Sequence, residues 1–216
     1  MGTPDFSVPT LQELINSEHE VVAVVTKPDK PKGRGNKVIS TPVKEVAISN
    51  DIKVYQPQKL SEKDFVEAME EISPDVIVVI AFGKILPKRI LNLPKHGCIN
   101  VHASLLPKYR GAGPIQWSII NGEAETGITT MYMDVGIDTG DMLLKEAVKI
   151  EDTDKGGSVH DKLSNFGAKL LIKTLKEVQN NTIIRVKQNS DESTYAPMLE
   201  KSLGNINWEN EAYKIE

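Results

Sequence analysis

Cysteine is nearly absent: the 216 residues contain one, Cys98. A single thiol excludes an internal disulfide and a zinc site built from cysteines. Cys98 lies in an apolar run, where a small buried thiol is expected rather than a nucleophile. Long hydrophobic runs are missing too. No apolar stretch approaches about 18 residues and no secretion signal opens the chain, so the cytoplasm is the expected location, without membrane contact. Excess positive charge is also lacking. The balance is −4, so any binding of nucleic acid has to be local. No internal repeat occurs. What is present, 39% hydrophobic residues with 15 Gly and 12 Pro, describes a soluble globular chain. Its length fits one large domain, or one domain plus a fragment of another.

Helix-like and strand-like patterns alternate along the first half. Leu11, Leu14 and Ile15 recur at helical spacing after Pro9. The β-branched run Val21 to Thr26 does not alternate, the mark of a strand buried on both faces. Thr41-Pro42 opens a second helix as cap and first helical residue. Ile52 to Tyr55 reads as a strand, and Ser61 to Asp64 as a weak capping box ahead of Phe65, Ala68, Met69 and Ile72. Asp75 to Ala81 is the most apolar strand. This order predicts an α/β fold with a doubly wound, mostly parallel sheet. A helix ahead of the first strand also implies an earlier strand, which the residues before it do not supply. Further on, the pattern predicts a helix over 115–121 and strands over 127–133 and 142–150. Val159, Leu163, Phe166, Leu170 and Val178 mark one face of a long amphipathic helix. From about Asn180 the pattern weakens, and 188–194 is polar and linker-like.

One stretch departs from apolar logic. Between Gly97 and Pro114, Ile99 and Val101 point one way on a strand, so Asn100 and His102 point the other. Burying either without a partner costs about 1–3 kcal/mol. The strand then breaks into Ser104-Leu105-Leu106-Pro107 and a Gly/Pro-rich loop. Strand ends of this kind are where open α/β folds place their chemistry. From these residues alone, a satisfied core pair and a functional site both stand. Phe82 to Pro87, with Gly83 in its turn, is either an ordinary connection or a place where a flat ligand reaches the backbone.

Two loops add charge. Lys27 to Lys37 holds five basic residues and one acid, a local +4. It is either a solvated surface loop or a loop that tracks phosphates of nucleic acid. Asp134 to Asp141 is acidic and punctuated by glycine. An amide and an imidazole on one strand face can donate to a single oxygen, and a carboxylate such as Asp138 can orient the imidazole. That set suits acyl transfer, in which a carbonyl oxygen becomes negative. Ser104 has no Gly-x-Ser-x-Gly surround, and one His with one Asp is short of metal ligands. Asp138 and Asp141 also stand as a possible carboxylate pair, with a separation that the spacing leaves open.

Cys98 to Pro114 contains Asn-x-His-x-Ser-Leu-Leu-Pro and resembles the signature of the 10-formyltetrahydrofolate-dependent formyltransferases. Gly127 to Leu143 resembles that family's second signature. The resemblance implies a Rossmann-like catalytic domain in which Asn100, His102 and Asp138 are the catalytic trio. It implies 10-formyltetrahydrofolate as co-substrate and no metal. It also implies a folate site drawn from Ser104, Leu105, Leu106 and Pro107 and from Phe82, Gly83, Ile85 and Leu86. Gly2 to Phe6 and the 27–37 loop resemble the branch whose acceptor is methionyl-initiator tRNA. That implies tRNA contacts at Lys32, Gly33, Arg34, Gly35 and Lys37, in a monomer. The alternatives are a small amine acceptor (a sugar or a ribonucleotide), release of formate to water, and an inactive folate-binding fragment. The family's first strand is expected before Gly2, and its second domain, a small β-barrel, beyond about Trp208. The division expected is a catalytic domain over 1–181, a linker over 182–202, and the start of a truncated domain over 203–216.

Overall fold

The computed structural model describes residues 1–32 and 37–215. The apolar runs become strands because each finds neighbours to bury against. Val24–Val25 pairs in parallel with Val54–Tyr55, and Ile77–Val79 pairs in parallel with Cys98–His102. Glu125–Tyr132 then lies antiparallel to Cys98–His102, and Met142–Lys149 antiparallel to Glu125–Tyr132. The fold is α/β and Rossmann-like, parallel in its first half and closed at one edge by antiparallel strands. Among the described residues no helix is long and apolar enough to cross a membrane.

The two faces of the sheet are covered by different helices, and this decides what is left open. Ile99 and Val101 pack with Val159, Leu163, Leu170 and Leu171 of the long helix Gly156–Gln179. Gly167 lets that helix approach closely: a Cβ there would lie 3.0 Å from the Val101 side chain. On the opposite face Cys98 packs with Phe65, Met69 and Ile90, from helices Lys63–Ile72 and Lys88–Leu91. Asn100 and His102 continue the Cys98 face toward the strand's C-terminal end, where they line a cavity.

The centre of the sheet is split. Among the described residues no ladder joins Val24–Val25 directly to Ile77–Val79. Met1 and Gly2 bridge the end of the gap. Gly2 N donates to Val25 O at 3.0 Å, Ile80 N donates to Met1 O at 2.9 Å, and the Met1 ammonium donates to Val78 O at 2.6 Å. Burial pushes the Met1 amine down to about 5. Behind these two residues lies a slot of about 400 Å³, lined by Val21 to Val25 and Asp75 to Val78 among others.

Several local expectations change. The capping box at Ser61 to Asp64 does not form. The helix begins at Lys63 with Glu62 in the cap position and no side-chain cap bond, because Glu62 turns back to accept from Lys59 N at 2.8 Å. The basic loop contains an antiparallel ribbon, with Lys30–Lys32 against Lys37–Ile39 and Pro31 opposite Val38. Proline is tolerated there because a two-stranded ribbon has edges where its missing N–H is not needed. Of the expected tRNA contacts, Gly33, Arg34 and Gly35 lie outside the described residues, and the backbones of Lys32 and Lys37 end the two arms. The stretch expected as a linker is docked on the domain. Val186 exchanges two backbone hydrogen bonds with Met142, at 2.8 and 2.9 Å, and Tyr195–Ala196 pairs in parallel with Arg110–Gly111.

Candidate active site

Asn100, His102 and Asp138 meet. The Asn100 amide donates from Nδ2 to Asp138 Oδ1 at 3.3 Å. His102, 6% exposed, has Nε2 2.8 Å from Tyr109 O. A carbonyl only accepts, so Nε2 carries the proton that makes this bond. That leaves Nδ1 facing Asp138 Oδ2 at 3.6 Å, beyond hydrogen-bond length but inside Coulombic reach. Gly111 N completes the carboxylate's set, donating to Oδ2 at 2.9 Å.

The acidic loop builds its own turn. Asp134 Oδ1 accepts from Gly136 N at 2.9 Å and from Thr139 Oγ1 at 2.6 Å. Asp138 itself sits at φ +53, a left-handed backbone that costs a non-glycine residue about 1–2 kcal/mol. Asp141 points elsewhere: its Oδ2 is 3.3 Å from Arg185 Nε. The carboxylate-pair reading of Asp138 and Asp141 thus has no support in the geometry.

The trio stands in a cavity of about 590 Å³. Phe82, Gly83, Ile85 and Leu86 line it. Phe82 and Leu86 are buried while Ile85 is exposed at the rim. Gly83 has φ +66, and a Cβ there would lie 2.5 Å from Lys27 Nζ, the movable end of a flexible side chain, so it is the left-handed turn that calls for glycine. Lys84 also lines the wall and donates to Pro57 O and Gln58 O. Burial lowers its pKa, and the nearby Lys27 and Lys30 charges lower it further.

Ser104, Leu105, Leu106 and Pro107 are not among the lining residues. They sit behind the strand end. Ser104 Oγ donates to Lys108 O at 2.7 Å, and Ser104 O accepts from Thr129 Oγ1 at 2.7 Å. Leu106 is buried with Met131 and Met142, and its carbonyl accepts from Lys145 Nζ at 3.0 Å. Cys98 is buried as expected, and burial pushes its thiol up to about 12. Among the described residues no group of three His, Cys, Asp or Glu side chains is placed to hold a metal.

Sequence reasoning missed the residues around this centre. Gly111, Tyr195 and Met198 line the cavity. Gln188 donates from Nε2 to Asp138 O and Gly140 O, both at 2.8 Å, and its Oε1 accepts from Arg110 Nε at 2.9 Å. Polar residues in a weakly patterned tail carry no periodic signal, so nothing in the sequence separates Gln188 from a linker residue.

Comparison with known proteins agrees with this architecture. The Formyl transferase family matches residues 1–175. The methionyl-tRNA formyltransferase of Alkaliphilus oremlandii is 58% identical over 216 residues, covering 100% of this chain and 70% of the relative. That of Clostridioides difficile is 56% identical over 215 residues, with the same two coverages. Among solved structures, the sugar 3N-formyl transferase WlaRD, in the presence of dTDP and 5-N-formyl-THF, has a TM-score of 0.72 at 24% identity. It covers 99% of this chain and 74% of its own. Phosphoribosylglycinamide formyltransferase from Bacillus halodurans has a TM-score of 0.67 at 23% identity, over 82% of this chain and 92% of its own. At those identities the structures speak to the fold. The matched domain and the close relatives together make this chain a member of the formyl transferase family.

Proposed function

We propose that this chain transfers a formyl group from 10-formyltetrahydrofolate to the α-amino group of methionyl-initiator tRNA. The observation that carries the reading is the convergence of Asn100, His102 and Asp138 at one end of a cavity with apolar walls. The relatives that are 56–58% identical bear methionyl-tRNA formyltransferase as their name, which selects this acceptor over a small amine. The folate donor supplies the formyl carbon; one C–N bond forms to the amine, the bond to N10 breaks, and the amine proton ends on N10.

Each residue of the trio then has a task. Asn100 stands where a carbonyl oxygen that gains negative charge would find a fixed donor, which needs no rearrangement as the charge forms, and His102 joins it once its Nδ1 has taken up the amine proton. His102 is held from behind by Tyr109 O, so Nδ1 is the nitrogen left to face the reaction. Asp138 Oδ2 faces that nitrogen at 3.6 Å, within Coulombic reach, and provides a nearby acceptor for the amine proton. Phe82, Gly83, Ile85 and Leu86 form the folate wall, while Ser104 to Pro107 support the strand end from the far side. The 27–37 loop, with Lys32, Gly33, Arg34, Gly35 and Lys37, is the tRNA contact. The helical core of the catalytic domain ends near 181, the 185–196 stretch docks back on it, and the chain from 203 onward begins a further unit.

Steady-state formylation of charged initiator tRNA tests this. Asn100→Ala or His102→Ala is expected to lower kcat about 10²–10³-fold with the melting temperature retained. Arg34→Ala is expected to raise KM for tRNA and to flatten its salt dependence by about one unit of slope. Near-full turnover by both alanine variants, or faster formylation of a sugar amine than of tRNA, overturns the reading.

A further inference from the structure

We propose that Gln188 is the positioning residue for Asp138, and that residues 185–196 form a strap holding the two halves of the site at their working separation. The proposal rests on the reading of Asp138 as the carboxylate beside His102.

The argument is geometric. Asp138 and His102 belong to separate segments, and 3.6 Å lies between their facing atoms. Two segments set that gap: the acidic loop, and the turn Tyr109 to Gly113. The turn supplies Tyr109 O to His102 Nε2 and Gly111 N to Asp138 Oδ2. Gln188 ties one to the other. Both hydrogens of its amide nitrogen are used within the acidic loop, on Asp138 O and Gly140 O. Its oxygen is used on the turn, by Arg110 Nε. The result is a closed ring of hydrogen bonds running from Gln188 to Asp138, Gly111, Arg110 and back.

The ring acts on a strained residue. Asp138 at φ +53 gains by relaxing unless its carbonyl is held, and the Gln188 amide holds that carbonyl. Gln188 in turn is anchored on both sides. Before it, Val186 pairs with Met142, and Arg185 stacks 4.3 Å over the Tyr132 ring while facing Asp141. After it, Thr194 O accepts from Arg110 N at 2.9 Å, Thr194 Oγ1 accepts from Tyr109 N at 2.8 Å, and Ala196 O accepts from Gly113 N at 3.1 Å. A stretch that looks like linker composition is thus bonded to Tyr109 N, Arg110 N and Gly113 N of the turn and to Asp138 O and Gly140 O of the acidic loop.

Gln188→Glu isolates the effect. Glutamate keeps the size and the acceptor for Arg110, but sets a carboxylate oxygen against two carbonyls and so drives the loop away. Gln188→Met removes the bonds without adding charge. A displacement of order 1 Å away from the chemistry can cost about 100-fold in rate. Both variants are expected to lower kcat about 10- to 100-fold, with KM for the folate changed less than about threefold and the melting temperature retained. A double-mutant cycle separates positioning from general support. If Gln188 acts through Asp138, then Asp138→Asn combined with Gln188→Glu is no slower than Asp138→Asn alone; independent damage multiplies. Multiplying effects, or kcat within about twofold of the parent in both Gln188 variants while Asp138→Asn is slow, overturns the proposal. Full turnover by Asp138→Asn alone overturns the catalytic reading as well, and needs no Gln188 variant to reveal it. If Gln188→Glu does not fold, Gln188→Met decides by the same criteria.

Discussion

Single residues carry the site, and they differ in how well the sequence advertises them. Asn100 and His102 were visible because strand alternation leaves an amide and an imidazole on a face otherwise built of apolar side chains. Asp138 is a candidate by residue type, a carboxylate able to orient the imidazole, but nothing in its spacing from His102 sets a distance across two loops, and its place in a catalytic trio is what the family resemblance implies. Gly111 had no signal at all, although two constraints meet there. Its φ is +109, and a Cβ would lie 2.7 Å from the Tyr195 ring and 2.8 Å from Ala196 O. Its N–H is also a donor to Asp138 Oδ2. Gly111→Ala therefore has to push the strap off the turn or carry the N–H away from the carboxylate. A loss of about 1–3 kcal/mol in stability is expected from the backbone strain, read as a lower melting temperature. A fall in kcat larger than that of an equally destabilising core variant is expected alongside it. Unchanged turnover in Gly111→Ala would show that the N–H does not help to place Asp138.

Elements are the level at which periodicity informs best. The long helix was legible from Val159, Leu163, Leu170 and Val178, all of which are buried in the Gly156–Gln179 helix; Phe166 stays partly exposed. How that helix starts was not legible, because its first turn is organised by a residue ahead of it. Asp154 accepts from Lys162 Nζ at 2.6 Å, from Glu151 N at 2.9 Å and from Ser158 Oγ at 2.8 Å. These bonds, led by that from Lys162, hold its carboxyl at about 2 against 3.8 for a free aspartate. A carboxylate near a helix N-terminus is also favoured by the peptide dipoles. The sign follows from the direction of the shift. A depressed carboxylate contributes stability above its unfolded value and loses it as pH falls through its folded value. Asp154→Asn, an uncharged mimic, is therefore expected to melt below the parent at pH 7. The difference should shrink as pH falls from about 4 toward about 2, as followed by circular dichroism. A constant difference across that window would mean the charge plays no part. The ribbon in the basic loop and the docked strap were illegible for a related reason: both are made by pairing between short polar segments, and pairing leaves no hydrophobic period.

At the scale of the molecule the sheet is discontinuous, and the discontinuity has a measurable consequence. Backbone groups alternate sides along a strand. Val24 N and Thr26 N bond to Lys53 O and Tyr55 O, so Ala23 and Val25 turn theirs to the slot. Ile77 N bonds to Gly97 O, so Val76 and Val78 turn theirs to the same slot from the other side. Met1 and Gly2 take only the groups at its end, including Val25 O and Val78 O. The composition of these strands, β-branched and apolar on both faces, is that of strands with neighbours on each side. In the 216-residue chain, the amides of Ala23, Val76 and Val78 are thus expected to exchange with solvent at least about tenfold faster than those of Val24, Thr26 and Ile77. Hydrogen exchange followed residue by residue by NMR reads this directly. Equal protection across the two sets would require a strand lying in the slot or the two edges drawn together, and either would rule out a split sheet. The active site lies beyond the bridged end, on the Ile77–Val79 and Cys98–His102 side. Fast exchange is therefore expected to stop before the Cys98–His102 strand, which is paired on both edges through Asn100 and with Glu125–Tyr132 at His102.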